Sequence, residues 1–85
     1  MANVVMYSAS QCPFCQGAEA LLRRKGAVEI NKIEIDKNRG EHAVMVERTG
    51  RRTVPQIFID DTHVGGFDDL VALDRQGHLD ALLAR

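Results

Sequence analysis

The sequence is poor in most of the features that mark specialised proteins. It has no tryptophan, one tyrosine and three phenylalanines, and only two prolines and two cysteines. It lacks an excess of either charge: 11 basic residues stand against 12 acidic ones, a net charge of -1. That balance argues against a protein held to nucleic acid by a basic field. It lacks any apolar run long enough to cross a bilayer, so no membrane partner is expected. No basic leader precedes an apolar stretch in MANVVMYSAS, so a cytoplasmic protein without a secretory signal is expected. There are no repeats, no low-complexity tracts and no linker. What is present is ordinary for a globular fold: 45% apolar and 27% charged residues. At 85 residues the chain reads as one domain, residues 1–85, and as a monomer.

The two cysteines, Cys12 and Cys15, flank Pro13 and Phe14. A secreted disulfide scaffold needs more of them. A structural zinc site needs four ligands, and His42, His63 and His78 are scattered singly along the chain, so no metal is expected. Free cysteines are often core residues, but two of them around a proline point to chemistry.

Asn3 to Tyr7 is apolar and rich in β-branched and aromatic residues, which predicts a buried strand. Pro13 suits a first helical position, because its φ is already fixed and its missing N–H is not needed there. Phe14, Ala18, Leu21 and Leu22 follow at helical spacing. Arg23, Arg24 and Lys25 suit the negative end of a helix, and Gly26 suits its stop. The spacing thus predicts a helix over 13–25. Val28 to Ile35 reads as a second strand whose alternation slips at Asn31-Lys32, where a bulge or break is expected. Asp36 to Gly40 is turn-like, and 41–49 reads as a second helix ended by Gly50. Gln56–Ile59 and Thr62–Val64 read as a hairpin around Asp60-Asp61. Asp68 and Asp69 open a third helix that Gly77 stops, and Leu79, Leu82 and Leu83 mark a fourth. The order βαβαββαα predicts an α/β fold: a small four-stranded mixed sheet with helices on its faces, its first crossover right-handed.

Cys12 therefore stands at the mouth of the first helix. Free N–H groups and the helix dipole favour a negative charge there. A thiol in such a position falls from a pKa of about 8.5 into a range of about 3.5–7.5. Cys12 is the expected nucleophile. Cys15, one turn further in, is the expected buried thiol that resolves a mixed disulfide.

Thr53-Val54-Pro55 precedes the third strand, and Gly65-Gly66-Phe67-Asp68-Asp69 follows the hairpin. Taken by itself, such a proline is often only a strand-boundary marker. Together with Cys12-Pro13-Phe14-Cys15, these segments resemble glutaredoxin, in particular the short bacterial dithiol members, over nearly the whole chain. The resemblance implies a thioredoxin-like fold trimmed of its first strand and helix, with Pro55 cis and facing the cysteine pair. It implies a glutathione-dependent thiol–disulfide oxidoreductase whose partners are glutathione and disulfide-bonded or glutathionylated proteins.

The resemblance also implies a site for each part of glutathione. Val54 N–H and C=O would pair with the cysteinyl backbone, beside Thr53 and Phe14. The γ-glutamyl carboxylate would meet the helix start at Phe67 and Asp68, and its ammonium the Asp68 carboxylate. Gly65 and Gly66 would allow close approach, and Arg52 would hold the glycine carboxylate. A helix cap is the plain alternative for Asp68, and a solvated surface charge for Arg52.

Three positions depart from the family pattern. Ala9 stands where a lysine is common, Phe14 where tyrosine is common, and Phe67 where some relatives have cysteine. Two other classes fit less well. Glutaredoxins that bind a [2Fe–2S] cluster with glutathione between two subunits usually carry Cys-Gly-Phe-Ser, which Pro13 and Cys15 contradict. A thioredoxin would have tryptophan beside a Cys-Gly-Pro-Cys pair.

Overall fold

The computed structural model describes residues 2–85. Its strands and helices alternate as β1 (Val4–Ser8), α1 (Pro13–Arg24), β2 (Ile30–Glu34), α2 (Arg39–Thr49), β3 (Gln56–Ile59), β4 (Thr62–Gly65), α3 (Phe67–Arg75) and α4 (Leu79–Leu83). The sheet order is β2-β1-β3-β4. β1 runs parallel to β2 through the α1 crossover and antiparallel to β3, and β3 and β4 form the hairpin. This is the expected mixed four-stranded sheet in a thioredoxin-like arrangement.

The two-residue period of the strands sorts the core into two layers. Val4 and Met6 of β1 and Ile57 and Ile59 of β3 point to one face. There they meet Ala18 and Leu22 of α1, Leu70 of α3 and Leu79 of α4. Tyr7 and Phe58 point to the other face, where Met45 of α2 covers them. Arg48 closes this thinner layer: its guanidinium carbon lies 4.0 Å from the centre of the Phe58 ring, and it donates to the Tyr7 hydroxyl at 3.0 Å.

Several boundaries differ from the sequence reading: β1 runs Val4–Ser8 rather than from Asn3 to Tyr7, α1 ends at Arg24, β2 ends at Glu34 rather than Ile35, and β4 extends to Gly65. β2 starts at Ile30, because Val28 is 71% exposed and pairs with nothing in β1. The slip expected at Asn31-Lys32 is absent: Val4 to Ser8 pair without interruption with Ile30 to Glu34. The irregularity falls in the hairpin instead. There Ile57 pairs with Gly65 but Phe58 pairs with His63, leaving Val64 as the extra residue of a bulge. α2 starts at Arg39, before the expected Glu41, and is capped after Thr49 by Gly50, whose φ of 72° suits a residue without Cβ.

Candidate active site

The segment between β1 and α1 is anchored before it reaches the cysteines. The Ser10 N–H donates to Asp36 Oδ2 at 3.1 Å, and its hydroxyl donates to Glu34 Oε2 at 3.0 Å. The Ser10 N–H bond is the main reason the Asp36 carboxyl is held below its ordinary value. Gln11 then takes a left-handed conformation, φ 54°, and turns the chain into α1.

Cys12 is the N-cap of α1, with extended backbone and Pro13 behind it. Its sulfur accepts the Cys15 N–H at 3.2 Å, one of the helix-mouth donors that have no partner within the helix. Cys15 is buried at 3% exposure, whereas Cys12 is partly exposed. That difference gives one sulfur access to an incoming disulfide and places the other behind it. The two sulfurs are bonded to each other, the oxidised form of the pair.

Opposite this helix mouth lies the segment before β3. The Val54–Pro55 peptide is cis, and Pro55 is buried. A groove of roughly 280 Å³ is lined by Phe14, Thr53, Val54, Pro55, Phe67 and Asp68. The groove thus unites six of the residues singled out in the sequence. Phe14, one of the two residues between the cysteines, is 63% exposed. Phe14 and Phe67 stand with ring centres 6.2 Å apart. Phe67 also lies over Gly17 of α1, where a methyl group would come within 3.2 Å of the ring.

Two predicted residues do not line this groove. Gly66 is the N-cap of α3, and Arg52 is solvent-exposed, its carbonyl accepting from His42 Nε2 at 3.4 Å. The cap role considered for Asp68 belongs to its neighbour. Asp69 Oδ2 accepts the Gly66 N–H at 2.9 Å and the Arg51 guanidinium at 2.8 Å. These two bonds, Arg51 first, hold the Asp69 carboxyl below its ordinary value. Asp68 is left exposed at the groove. The sequence reading places Asp69 only as an opener of this helix, beside Asp68, and gives Arg51 no role. The available signal was the spacing of Asp69, three residues after the N-cap, where a carboxylate can reach back to the cap N–H.

Known proteins agree with this geometry. The glutaredoxin family model matches residues 4–64. Glutaredoxin 3 of Escherichia coli K12 is 53% identical over 83 residues, covering 98% of this chain and 99% of its own. The crystal structure of wheat glutaredoxin superposes with a TM-score of 0.88 at 41% identity, covering 98% of this chain and 80% of that one. A buckwheat glutaredoxin–glutathione complex superposes with a TM-score of 0.87 at 31% identity, covering 98% and 77%. With its redox-active cysteine pair at the mouth of the first helix of a thioredoxin-like fold, this chain belongs to the glutaredoxin family and is a thiol–disulfide oxidoreductase.

Proposed function

We propose that this oxidoreductase draws its electrons from glutathione and reduces both glutathione mixed disulfides and protein disulfides. The observation that carries the reading is the groove lined by Phe14, Thr53, Val54, Pro55, Phe67 and Asp68 next to the cysteine pair. The resemblance to a solved glutaredoxin–glutathione complex supports it.

In the reduced protein, the helix-mouth N–H that now meets Cys12 Sγ stabilises a thiolate on that atom. The Cys12 thiolate attacks the glutathionyl sulfur of a mixed disulfide. The Cys12–glutathione bond forms, and the substrate leaves as a thiolate that takes up a proton. A second glutathione thiolate attacks the bound glutathionyl sulfur, releasing glutathione disulfide and restoring the Cys12 thiolate. With a protein disulfide, Cys12 attacks one sulfur and the other leaves as a thiolate. Cys15, after losing its proton, then attacks Cys12 Sγ. The second substrate sulfur leaves as a thiolate and the Cys12–Cys15 bond closes. The bonded pair corresponds to the product of that last step.

Each part of glutathione has a partner in this reading. Val54 N–H and C=O pair with the cysteinyl backbone, as an added strand would. The γ-glutamyl carboxylate lies at the α3 start by Phe67 and Asp68, whose backbone N–H groups have no partner within the helix. The Asp68 carboxylate takes the ammonium, Gly66 leaves room for the approach, and Arg52 takes the glycine carboxylate.

The test is turnover of a glutathione mixed disulfide with electrons from glutathione and glutathione reductase, run beside the same protein supplied by thioredoxin reductase. Turnover with the first supply is expected. Turnover with thioredoxin reductase alone would refute the glutathione dependence.

A further inference from the structure

Gln56 is a buried polar residue that the groove does not use directly. It is 1% exposed, and its amide bonds in two directions. Nε2 donates to the Thr53 carbonyl at 3.1 Å, and Oε1 lies 2.8 Å from His63 Nε2. The roles are fixed by chemistry. A backbone carbonyl can only accept, so the NH₂ end of Gln56 must face Thr53. The oxygen end then faces His63, so His63 must carry its proton on Nε2 and donate. Burial, then the nearby Arg51, holds the His63 ring below its ordinary value. A neutral ring has a single N–H, and this contact uses it. The ring is held from behind by stacking on Phe58, centres 5.0 Å apart.

The Thr53 carbonyl and the Val54 N–H belong to one peptide group. Val54–Pro55 is the cis bond, and the Thr53–Val54 bond is trans. In a planar trans peptide the C=O and N–H point in opposite directions. Tying the Thr53 carbonyl inward to Gln56 therefore turns the Val54 N–H outward. Val54 lines the groove, and among the described residues no acceptor takes its N–H.

We propose that Gln56, oriented by His63, is the positioning residue that aims the Val54 N–H into the groove to meet the backbone of the disulfide substrate. This rests on the glutathione reading given above. It adds a residue that lies behind the groove and touches no substrate.

The experiment compares Gln56→Met, His63→Phe and His63→Gln. Met keeps the bulk of Gln56 without its amide. Phe keeps the stacked ring without the N–H donor, and Gln restores a donor. For Gln56→Met, KM for a glutathione mixed disulfide should rise about fivefold, the scale of one lost hydrogen bond. kcat at saturation and the rate of Cys12 alkylation by iodoacetamide should stay within about twofold of the parent. His63→Phe should raise KM about two- to threefold, and His63→Gln should bring it back. In parallel, ¹⁵N-labelled protein reports the Val54 amide directly. Its resonance should shift in Gln56→Met and His63→Phe and return in His63→Gln, while α1 resonances stay put.

A folded Gln56→Met or His63→Phe protein with parental KM and an unmoved Val54 resonance overturns the proposal. So does a loss of kcat and alkylation rate with KM unchanged. Should Gln56→Met fail to fold, the two His63 variants decide by the same criteria. Should the parent not turn over glutathione mixed disulfides, the glutathione reading fails, and the Val54 resonance still decides the positioning role.

Discussion

The two walls of the groove are built in different ways. The sulfur wall is the mouth of one helix: Cys12 caps α1, Cys15 lies one turn inside, and Phe14 projects between them. Its parts are adjacent in sequence, and its chemistry needs little more than a helix start. The docking wall is assembled from two separated segments, Thr53 to Pro55 and Phe67 to Asp68. Side chains behind the surface hold them: Gln56 on Thr53, and Arg51 and Asp69 across to Gly66. In the proposed reaction one wall carries reactivity and the other orientation. Changes to the first should act on kcat, and changes to the second on KM or on stability.

The largest expected effect is on the sulfur wall. Cys12→Ser should lower turnover of a glutathione mixed disulfide by at least about 10³-fold, since the nucleophile is gone. A steady-state assay at saturating substrate reads it. Next comes Cys15→Ser, which should separate two reactions that share Cys12. Turnover of glutathione mixed disulfides should remain within about tenfold of the parent, while reduction of protein disulfides should stall at the Cys12 mixed disulfide. Mass spectrometry of the trapped adduct checks this.

On the docking wall the effects are smaller. Asp69→Ala removes the carboxylate that caps α3 and should cost about 1 kcal/mol in chemical denaturation. The partly exposed ion pair with Arg51 adds little to that. The same residue predicts a pH dependence. Its folded pKa lies below the ordinary 3.8, so its contribution is fully present above that value. It is lost as pH falls from there through the folded pKa. Stability measured from pH 6 downward should fall more steeply in the parent than in Asp69→Ala.

The smallest effect is expected at Gly17→Ala. Alanine favours the helix by about 0.5–1 kcal/mol over glycine, but the added methyl would press on the Phe67 ring. The two should nearly cancel in stability. The displaced ring should still change KM, and a thermal melt beside a KM measurement distinguishes this from a silent change.

The same contrast explains what was legible in the sequence. Cys12-Pro13-Phe14-Cys15 announces itself, because a proline at helix entry and two thiols one turn apart are local signals. The first core strand is legible for a similar reason: Asn3 to Tyr7 is a nearly continuous apolar run with β-branched and aromatic residues. β2 misled because Val28 is apolar yet exposed, and apolar character alone does not show where a strand begins. The bulge at Val64 was out of reach, since its cause is the register between two strands. Asp68 and Asp69 are adjacent and chemically identical. Only the turn of α3 decides that one reaches back to Gly66 while the other faces the groove. The Gln56–Thr53 bond joins near neighbours, but no local rule says that this glutamine turns inward. Gly17 under Phe67 is likewise a contact between distant segments that no spacing reveals.

The proposed reaction depends most on Cys12 being ionised at neutral pH although Ala9 supplies no cation beside it. Iodoacetamide alkylation of the reduced Cys15→Ser protein, followed from pH 4 to 10, measures this directly. A midpoint at or below about 7.5 is expected. A midpoint at the ordinary thiol value of about 8.5 would contradict it.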